Sequence, residues 1–251
     1  MALLSQPASY ETPVIMVFSW PATNGYKVHI LIGECGFPYE AIAVAIGRGG
    51  QFDADFLKIS PKNKIPATID PQGPDGAPIS LFRSGAILLH LARKAGRFMP
   101  ESERQQLEVL QWLMFQMGGV GPMFGQAHHF RMYVPKKIAY AINRYSYEAR
   151  RLYGVIDRRL SQSRYLCGDA YSIADIATFP WLRSWKTGRG ARRLSARAKV
   201  VRRNFLTSGG ETGHQCHGRL TPSDHGRQGA RDSFRQHAVP VALKREADGK
   251  R

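Results

Sequence analysis

The sequence predicts an α/β domain followed by an all-helical domain and a tail without a regular pattern. Three observations support this prediction. Short apolar runs alternate with helical segments over residues 14–98, long helical periods fill residues 104–185, and neither period continues through residues 186–251. A chain of 251 residues with 43% hydrophobic residues is long and apolar enough to bury the cores of one or two domains.

The first domain is predicted to contain four strands and three helices. Apolar or β-rich runs predict the strands, and apolar residues at helical spacing between turn residues predict the helices. The elements are a strand at 14–18, a helix at 26–35, strands at 39–46, 67–69 and 79–82, a helix at 53–59 and a helix from Ser84 to Gly96. This βαβαββα order is that of the thioredoxin-like fold, with its first two strands parallel.

The second domain is predicted to consist of long helices. Residues 104–117 and 138–160 have apolar residues at helical spacing, with an interruption at Gly118-Gly-Val-Gly-Pro122. Tyr171-Ser-Ile-Ala-Asp175 is typical of a helix start, because Ser172 and Asp175 have the spacing of a capping box.

The tail carries most of the net positive charge. Residues 186–251 contain 16 Lys and Arg against 5 Asp and Glu, a net +11, whereas the other 185 residues contain 20 against 14, a net +6. The tail is rich in Arg, Gly, Ser and His, a composition typical of disorder. One hypothesis is a frame-shifted reading of a normal C-terminus. The other is a genuine basic arm that binds nucleic acid through phosphates, although its only aromatic residues, Phe205 and Phe234, give base stacking little support.

Composition also bears on the compartment and on metals. No run of 18 apolar residues predicts a membrane span, and residues 1–13 lack the basic start and apolar run of a secretory signal. Three widely spaced cysteines form neither a disulfide framework nor a zinc pattern, so we expect a cytoplasmic protein without a metal. Cys35 and Cys167 are expected to be buried or structural.

Six segments resemble the nu-class, or disulfide-bond-oxidoreductase, type of glutathione transferase. They occur in the family's order over about 170 residues. They are Thr23-Asn-Gly-Tyr-Lys27, Gly49-Gly-Gln-Phe52, Ile59-Ser-Pro-Lys-Asn-Lys-Ile-Pro-Ala67, Ser84-Gly-Ala-Ile-Leu88, Gly121-Pro-Met-Phe-Gly-Gln-Ala-His-His-Phe130 and Tyr171-Ser-Ile-Ala-Asp175. The resemblance implies a thioredoxin-like domain at 14–98, a helical domain at 104–185 and a homodimer. It also implies that the protein binds reduced and oxidised glutathione and that the thiolate of bound reduced glutathione reduces small-molecule or peptide disulfides. Conjugation to an electrophile is a neighbouring reaction.

The resemblance places the thiol chemistry at the first helix. Asn24 is expected to donate a hydrogen bond to the glutathione sulfur, aided by the positive end of the helix dipole. Asn24 could also act as a plain helix cap. The family's hydroxyl position holds Ala22 in this chain, and Thr23 offers a hydroxyl one residue later. Because no Cys-x-x-Cys occurs at this turn, the redox sulfurs would come from glutathione.

The remaining ligand contacts follow from the same resemblance. The bond between Ile65 and Pro66 is expected to be cis, with the Ile65 backbone pairing with the cysteinyl unit of glutathione. Ser84 is expected to cap its helix and to hold the γ-glutamyl carboxylate. Arg83 stands where the family has a glutamate that faces the ligand's ammonium. The donors expected at the carboxylates are Gln51, Lys64 and Arg144.

Two further possibilities follow from the residues. The departures from the family pattern at Ala22 and Arg83 are compatible with a transferase-like protein that binds glutathione weakly or not at all and has a regulatory or structural role. Adjacent His128 and His129 would point about 100° apart on a helix, which favours packing or substrate lining over metal binding. His214, Cys216 and His217 lack a second ligand pair and are interpreted as coincidence.

Overall fold

The computed structural model describes residues 14–184. The tail hypotheses, and the group around Cys216, lie outside these residues. The elements are β1 Ile15–Ser19, α1 Thr23–Cys35, β2 Tyr39–Ala43, α2 Ala54–Ile59, β3 Ala67–Asp70, β4 Ile79–Phe82, α3 Ser84–Ala95, α4 Glu103–Phe115, α5 Gly121–Met132, α6 Ala139–Gln162 and α7 Ile173–Ser184. The predicted βαβαββα order and the helical domain are confirmed. The predicted limits 14–98, 104–185 and 186–251 remain predictions.

One four-stranded sheet organises the first domain, in the order β2-β1-β3-β4. β1 pairs in parallel with β2, as predicted, and antiparallel with β3, which pairs antiparallel with β4. All five residues of β1 are buried, because this strand is central and covered on both faces.

The start of α1 and the N-cap of α3 differ from the predicted ones. α1 starts at Thr23 rather than Tyr26, because Ala22 is the extended N-cap and its carbonyl accepts the first helical bond from the Tyr26 N–H at 3.1 Å. Asn24 is therefore inside the first turn, and the alternative interpretation of Asn24 as the cap of α1 is wrong. Ser84 is likewise the first residue of α3, with Arg83 as its N-cap.

Other local signals gave the correct helix ends. Asp53 caps α2 by accepting a hydrogen bond from the Asp55 N–H at 2.9 Å. Gly96 ends α3 in the left-handed conformation, where a glycine has no Cβ penalty. The capping box of α7 is present, since the Ser172 N–H donates to Asp175 Oδ2 at 3.1 Å and Ser172 Oγ accepts from the Ala174 N–H at 3.3 Å.

The predicted interruption between α4 and α5 is a widened helical turn. Residues Gln116–Val120 form one π-helical turn, in which the Gly121 N–H donates to the Gln116 carbonyl. The path thus remains helical from Glu103 to Met132, and the glycines at 118, 119 and 121 did not break it. Such turns are often found at functional sites.

The helical domain packs directly on the first domain. One apolar cluster includes Val28 of α1, Leu88 of α3, Leu113 of α4 and Ile176 of α7, all of them 0% exposed. α7 lies against both α1 and α3. Among the residues described, no helix is both long and apolar enough to cross a membrane.

Candidate functional site

The predicted ligand-binding residues Asn24, Ile65 and Ser84 follow or precede strand ends that meet at one edge of the sheet. Phe18 of β1 pairs with Ala67 of β3, and Ala67 pairs with Phe82 of β4. Neighbouring strands lie about 4.8 Å apart. The end of β1, the start of β3 and the end of β4 therefore lie side by side, so that the N-termini of α1 and α3 flank the segment that precedes Ala67.

The peptide bond between Ile65 and Pro66 is cis, as the resemblance predicted. Pro66 is buried and Ile65 is half-buried immediately before β3. A proline at the first position of a strand donates no ladder bond, so the main chain of the preceding residue is available to another partner. This bend lies between the two helix N-termini.

Asn24 is half-buried in the first turn of α1 and contacts the helical domain. Its Oδ1 accepts a hydrogen bond from Trp181 Nε1 of α7 at 3.2 Å. The amide keeps two N–H donors on its other arm. Neighbouring Thr23 is also half-buried, and Ala22 offers no side-chain cap. Both residues predicted as catalytic are thus at the positive end of the α1 dipole.

Ser84 is 6% exposed at the start of α3. Its hydroxyl lies 3.8 Å from the Sδ atom of Met117, which belongs to the π-helical turn. Gly85 leaves room for the same thioether, since a Cβ at that position would lie 3.1 Å from Met117 Cε. The helical domain therefore supports the start of α3 through Met117.

Sequence reasoning missed the buried residue Lys27. Its Nζ donates to Gln116 Oε1 at 2.7 Å and lies 3.9 Å from Met117 Sδ. Burial lowers the pKa of the Lys27 ammonium to about 7. The one signal in the sequence was that Lys27 is followed by the apolar helical residues Val28, Ile30 and Leu31.

The other predicted ligand residues are more peripheral. Arg83 is exposed with φ 73°, and Lys64 and Arg144 are also exposed. Gln51 is half-buried in a short 3₁₀ turn, and its Oε1 has no hydrogen-bond partner among the described residues. Only Arg144 belongs to the helical domain, on α6. Their contacts with a ligand remain predictions.

The two described cysteines are poorly suited to act as nucleophiles. Cys35 and Cys167 are free and half-buried. Burial raises the pKa of each thiol to about 11, so both are protonated at neutral pH. His128 lies 3.3 Å from the Tyr133 hydroxyl rather than beside a metal ligand. Residues 14–184 contain no group of three or more His, Cys, Asp or Glu arranged to hold a metal ion.

Two family models match the chain. The glutathione S-transferase N-terminal domain matches residues 13–93, and the glutathione S-transferase C-terminal domain matches residues 139–203. The chain belongs to the glutathione S-transferase family. The second match continues past residue 185, the predicted end of the helical domain.

Relatives within the family include disulfide-bond oxidoreductases. The chain is 49% identical over 177 residues to disulfide-bond oxidoreductase YfcG of Escherichia coli, covering 70% of this chain and 82% of that protein. It is 40% identical over 173 residues to disulfide-bond oxidoreductase YghU of the same organism. That match covers 66% of this chain and 59% of the relative, so the chain spans less than two thirds of it.

A solved structure of this family resembles the chain closely. A glutathione transferase from Burkholderia graminis, with two glutathione molecules bound per subunit, superposes with a TM-score of 0.77 and 39% sequence identity. The superposition covers 82% of this chain and 89% of that one. It therefore extends over both domains.

Proposed function

We propose that this chain binds glutathione at the sheet edge between α1 and α3 and uses the bound thiolate to reduce disulfides. The observation that carries this proposal is the strand register of Phe18, Ala67 and Phe82, which brings two helix N-termini to either side of the cis bond before Pro66. A glutathione molecule offers two carboxylates and a thiol, and helix N-termini favour such negative groups. The similarity to a disulfide-bond oxidoreductase supports the reaction, and the glutathione bound in the related structure supports the ligand.

The reaction needs a thiolate, and α1 supplies the means to stabilise it. A free thiol has a pKa near 8.5, so most of it is protonated at neutral pH. The Asn24 amide and the first-turn N–H groups of α1 are donors to a sulfur anion, and donors to a charged group are worth roughly 1.5–3 kcal/mol. Such donors would lower the thiol pKa and raise the fraction of reactive thiolate.

The chemistry then proceeds by two thiol–disulfide exchanges. The bound thiolate attacks one sulfur of the substrate disulfide, forms a mixed disulfide and releases the other sulfur as a thiolate, which takes a proton from water. A second glutathione thiolate attacks the glutathione sulfur of the mixed disulfide. Oxidised glutathione forms and the second substrate thiol leaves. The protein contributes no sulfur, in agreement with the protonated Cys35 and Cys167.

The polar ends of glutathione would be held at the flanks of this edge. The Ser84 hydroxyl and the N-terminus of α3 suit the γ-glutamyl carboxylate, and the Ile65 main chain suits the cysteinyl unit. The donors Gln51, Lys64 and Arg144 suit the other carboxylate. Arg83 would lie near the ligand's ammonium, where its charge is repulsive.

The test is calorimetric titration with reduced and oxidised glutathione, together with glutathione-dependent reduction of 2-hydroxyethyl disulfide. Wild type should bind both forms and reduce the disulfide. Asn24→Ala should lower kcat/KM by about 10- to 100-fold, the equivalent of a hydrogen bond to a charged group. Asn143→Ala, an exposed asparagine on α6, is the matched control. Absence of binding heat at millimolar glutathione, together with no rate above the uncatalysed one, would overturn the proposal.

We also propose a homodimer that acts in the cytoplasm, where thiols are kept reduced. β4 is an edge strand, and Phe82 at its end is 38% exposed. Leu107 and Met114, two turns apart on α4, are each 54% exposed. Sedimentation of wild type against Leu107→Glu and Met114→Glu tests the assembly; equal masses near one chain for all three would contradict it.

A further inference from the structure

We propose that Trp181 is the positioning residue that fixes the polarity of the Asn24 amide for thiolate stabilisation. This inference rests on the proposed glutathione chemistry and adds a residue of the helical domain to it. The contact joins residues 157 positions apart, from α7 to the first turn of α1.

The chemistry of the indole decides which way the amide faces. An indole N–H is a donor only, so the Asn24 atom 3.2 Å from Trp181 Nε1 has to be the oxygen. The two arms of a planar amide diverge, and therefore the NH₂ group, with its two donors, faces away from the indole. Without this contact either arm could face the ligand, and a carbonyl oxygen in that place would repel a sulfur anion.

The indole ring packs against the surface of α5 at two glycines. A Cβ built on Gly121 would lie 3.7 Å from Trp181 Cε2, and one on Gly125 would lie 3.5 Å from Cη2. These glycines are one turn apart on α5, so the ring lies directly against the helix backbone. The Gly121–Gly125 motif therefore supports Trp181, which in turn orients Asn24.

Partial burial strengthens this contact. Trp181 and Asn24 are both half-buried between α1 and α7, where a hydrogen bond competes less with water than at an open surface. Lys27 is one turn along α1 from Asn24, and its Nζ is already engaged by Gln116. The variants that test Trp181 leave that pair intact.

The decisive variant is Trp181→Phe, which removes the donor and keeps an aromatic ring against the glycines. We expect kcat/KM for disulfide reduction to fall about three- to tenfold, the size of one hydrogen bond between neutral groups. The loss should lie in kcat, with the Kd of glutathione nearly unchanged. The ultraviolet absorbance of the bound thiolate should show a raised thiol pKa. Trp112→Phe, a half-buried tryptophan that contacts Phe115 on α4, is the matched control.

A double-variant cycle separates positioning from packing. In the Asn24→Ala background the amide is gone, so adding Trp181→Phe should cause no further loss. An undiminished second loss would show that the ring acts through packing and would overturn the inference. So would an unchanged thiol pKa in an active Trp181→Phe enzyme. A wild type that does not bind glutathione would instead count against the proposed function.

A spectroscopic measurement covers the case in which Trp181→Phe fails to fold. The ¹⁵N-labelled indole resonance of Trp181 in the wild-type protein should shift when Asn24 is changed to Ala, because its acceptor is lost. The indole resonance of Trp112 should stay in place. An unmoved Trp181 resonance would contradict the contact itself.

Discussion

Lys27 Nζ of α1 donates a hydrogen bond to Gln116 Oε1 of the π-helical turn across 2.7 Å, and the two side chains are 1% and 0% exposed. This hydrogen bond joins the first domain to the second, one helical turn along α1 from Asn24. Gln116 Nε2 is also buried and has no hydrogen-bond partner among the described residues. The candidate site is thus backed by a buried polar contact between the two domains, in addition to the hydrogen bond from Trp181 to Asn24.

Removing the Lys27 amine should change the pH dependence of stability. Burial lowers its pKa to about 7 from an ordinary 10.5. Between these values the unfolded chain binds a proton that the folded chain does not, so the free energy of unfolding contributed by Lys27 rises with pH by up to about 1.4 kcal/mol per unit. Lys27→Met should remove this rise, as measured by urea unfolding from pH 7 to 10.

The control for this experiment is Lys62→Met, because Lys62 is exposed. Its curve of stability against pH should run parallel to that of wild type. The absolute stability of Lys27→Met also includes the loss of the Gln116 hydrogen bond, so the slope is the informative quantity. A slope equal to that of wild type would show that Lys27 is not a desolvated amine.

The start of α1 should not tolerate a side chain at Gly25. A Cβ there would lie 2.4 Å from Ser19 Oγ and 3.1 Å from the Trp20 carbonyl oxygen. Gly25→Ala should therefore cost about 1–3 kcal/mol in thermal or urea unfolding, the usual size of overpacking, and should weaken glutathione binding because the first turn moves. Gly47→Ala, where no atom lies within 4 Å, should be nearly neutral. Equal stability of the two variants would refute this.

Reversing the charge at Arg83 should tighten glutathione binding. Arg83 is exposed at the N-cap of α3, next to Ser84, and a carboxylate in its place would attract the ligand's ammonium. For an exposed pair we expect a gain of at most about 1 kcal/mol, or roughly fivefold in Kd, that fades as salt is added. Calorimetry at two salt concentrations measures it. The control is Arg93→Glu, which should have no such effect because Arg93 is exposed near the far end of α3. A larger Kd for Arg83→Glu than for wild type would contradict the assigned orientation of glutathione.

A variant without cysteines should keep its disulfide reductase activity. The chain has three cysteines, at positions 35, 167 and 216, and the pKa of each described thiol is raised to about 11. Changing all three to Ser should leave kcat/KM within about twofold, because glutathione supplies both reacting sulfurs. Trapping of a protein–glutathione mixed disulfide in wild type, together with a large loss of rate in the variant, would sink the proposed mechanism.

The sequence by itself determined the features that depend on neighbouring residues. The order of strands and helices along the chain, the cap at Asp53, the helix end at Gly96 and the capping box of Ser172 and Asp175 follow from short-range patterns. The motif resemblance correctly predicted the cis bond before Pro66. It also named Asn24 and Ser84, which the fold brings to one sheet edge.

Only the tertiary structure decided what surrounds those residues. The start of α1 at Thr23 and the N-cap of α3 at Arg83 depend on where β1 and β4 deliver the chain, so local patterns did not predict them. The contacts of Lys27 with Gln116 and of Asn24 with Trp181 join positions 89 and 157 residues apart. Whether an amine loses its water, or an amide is held one way round, depends on packing between two domains, and periodicity within one segment carries no information about that.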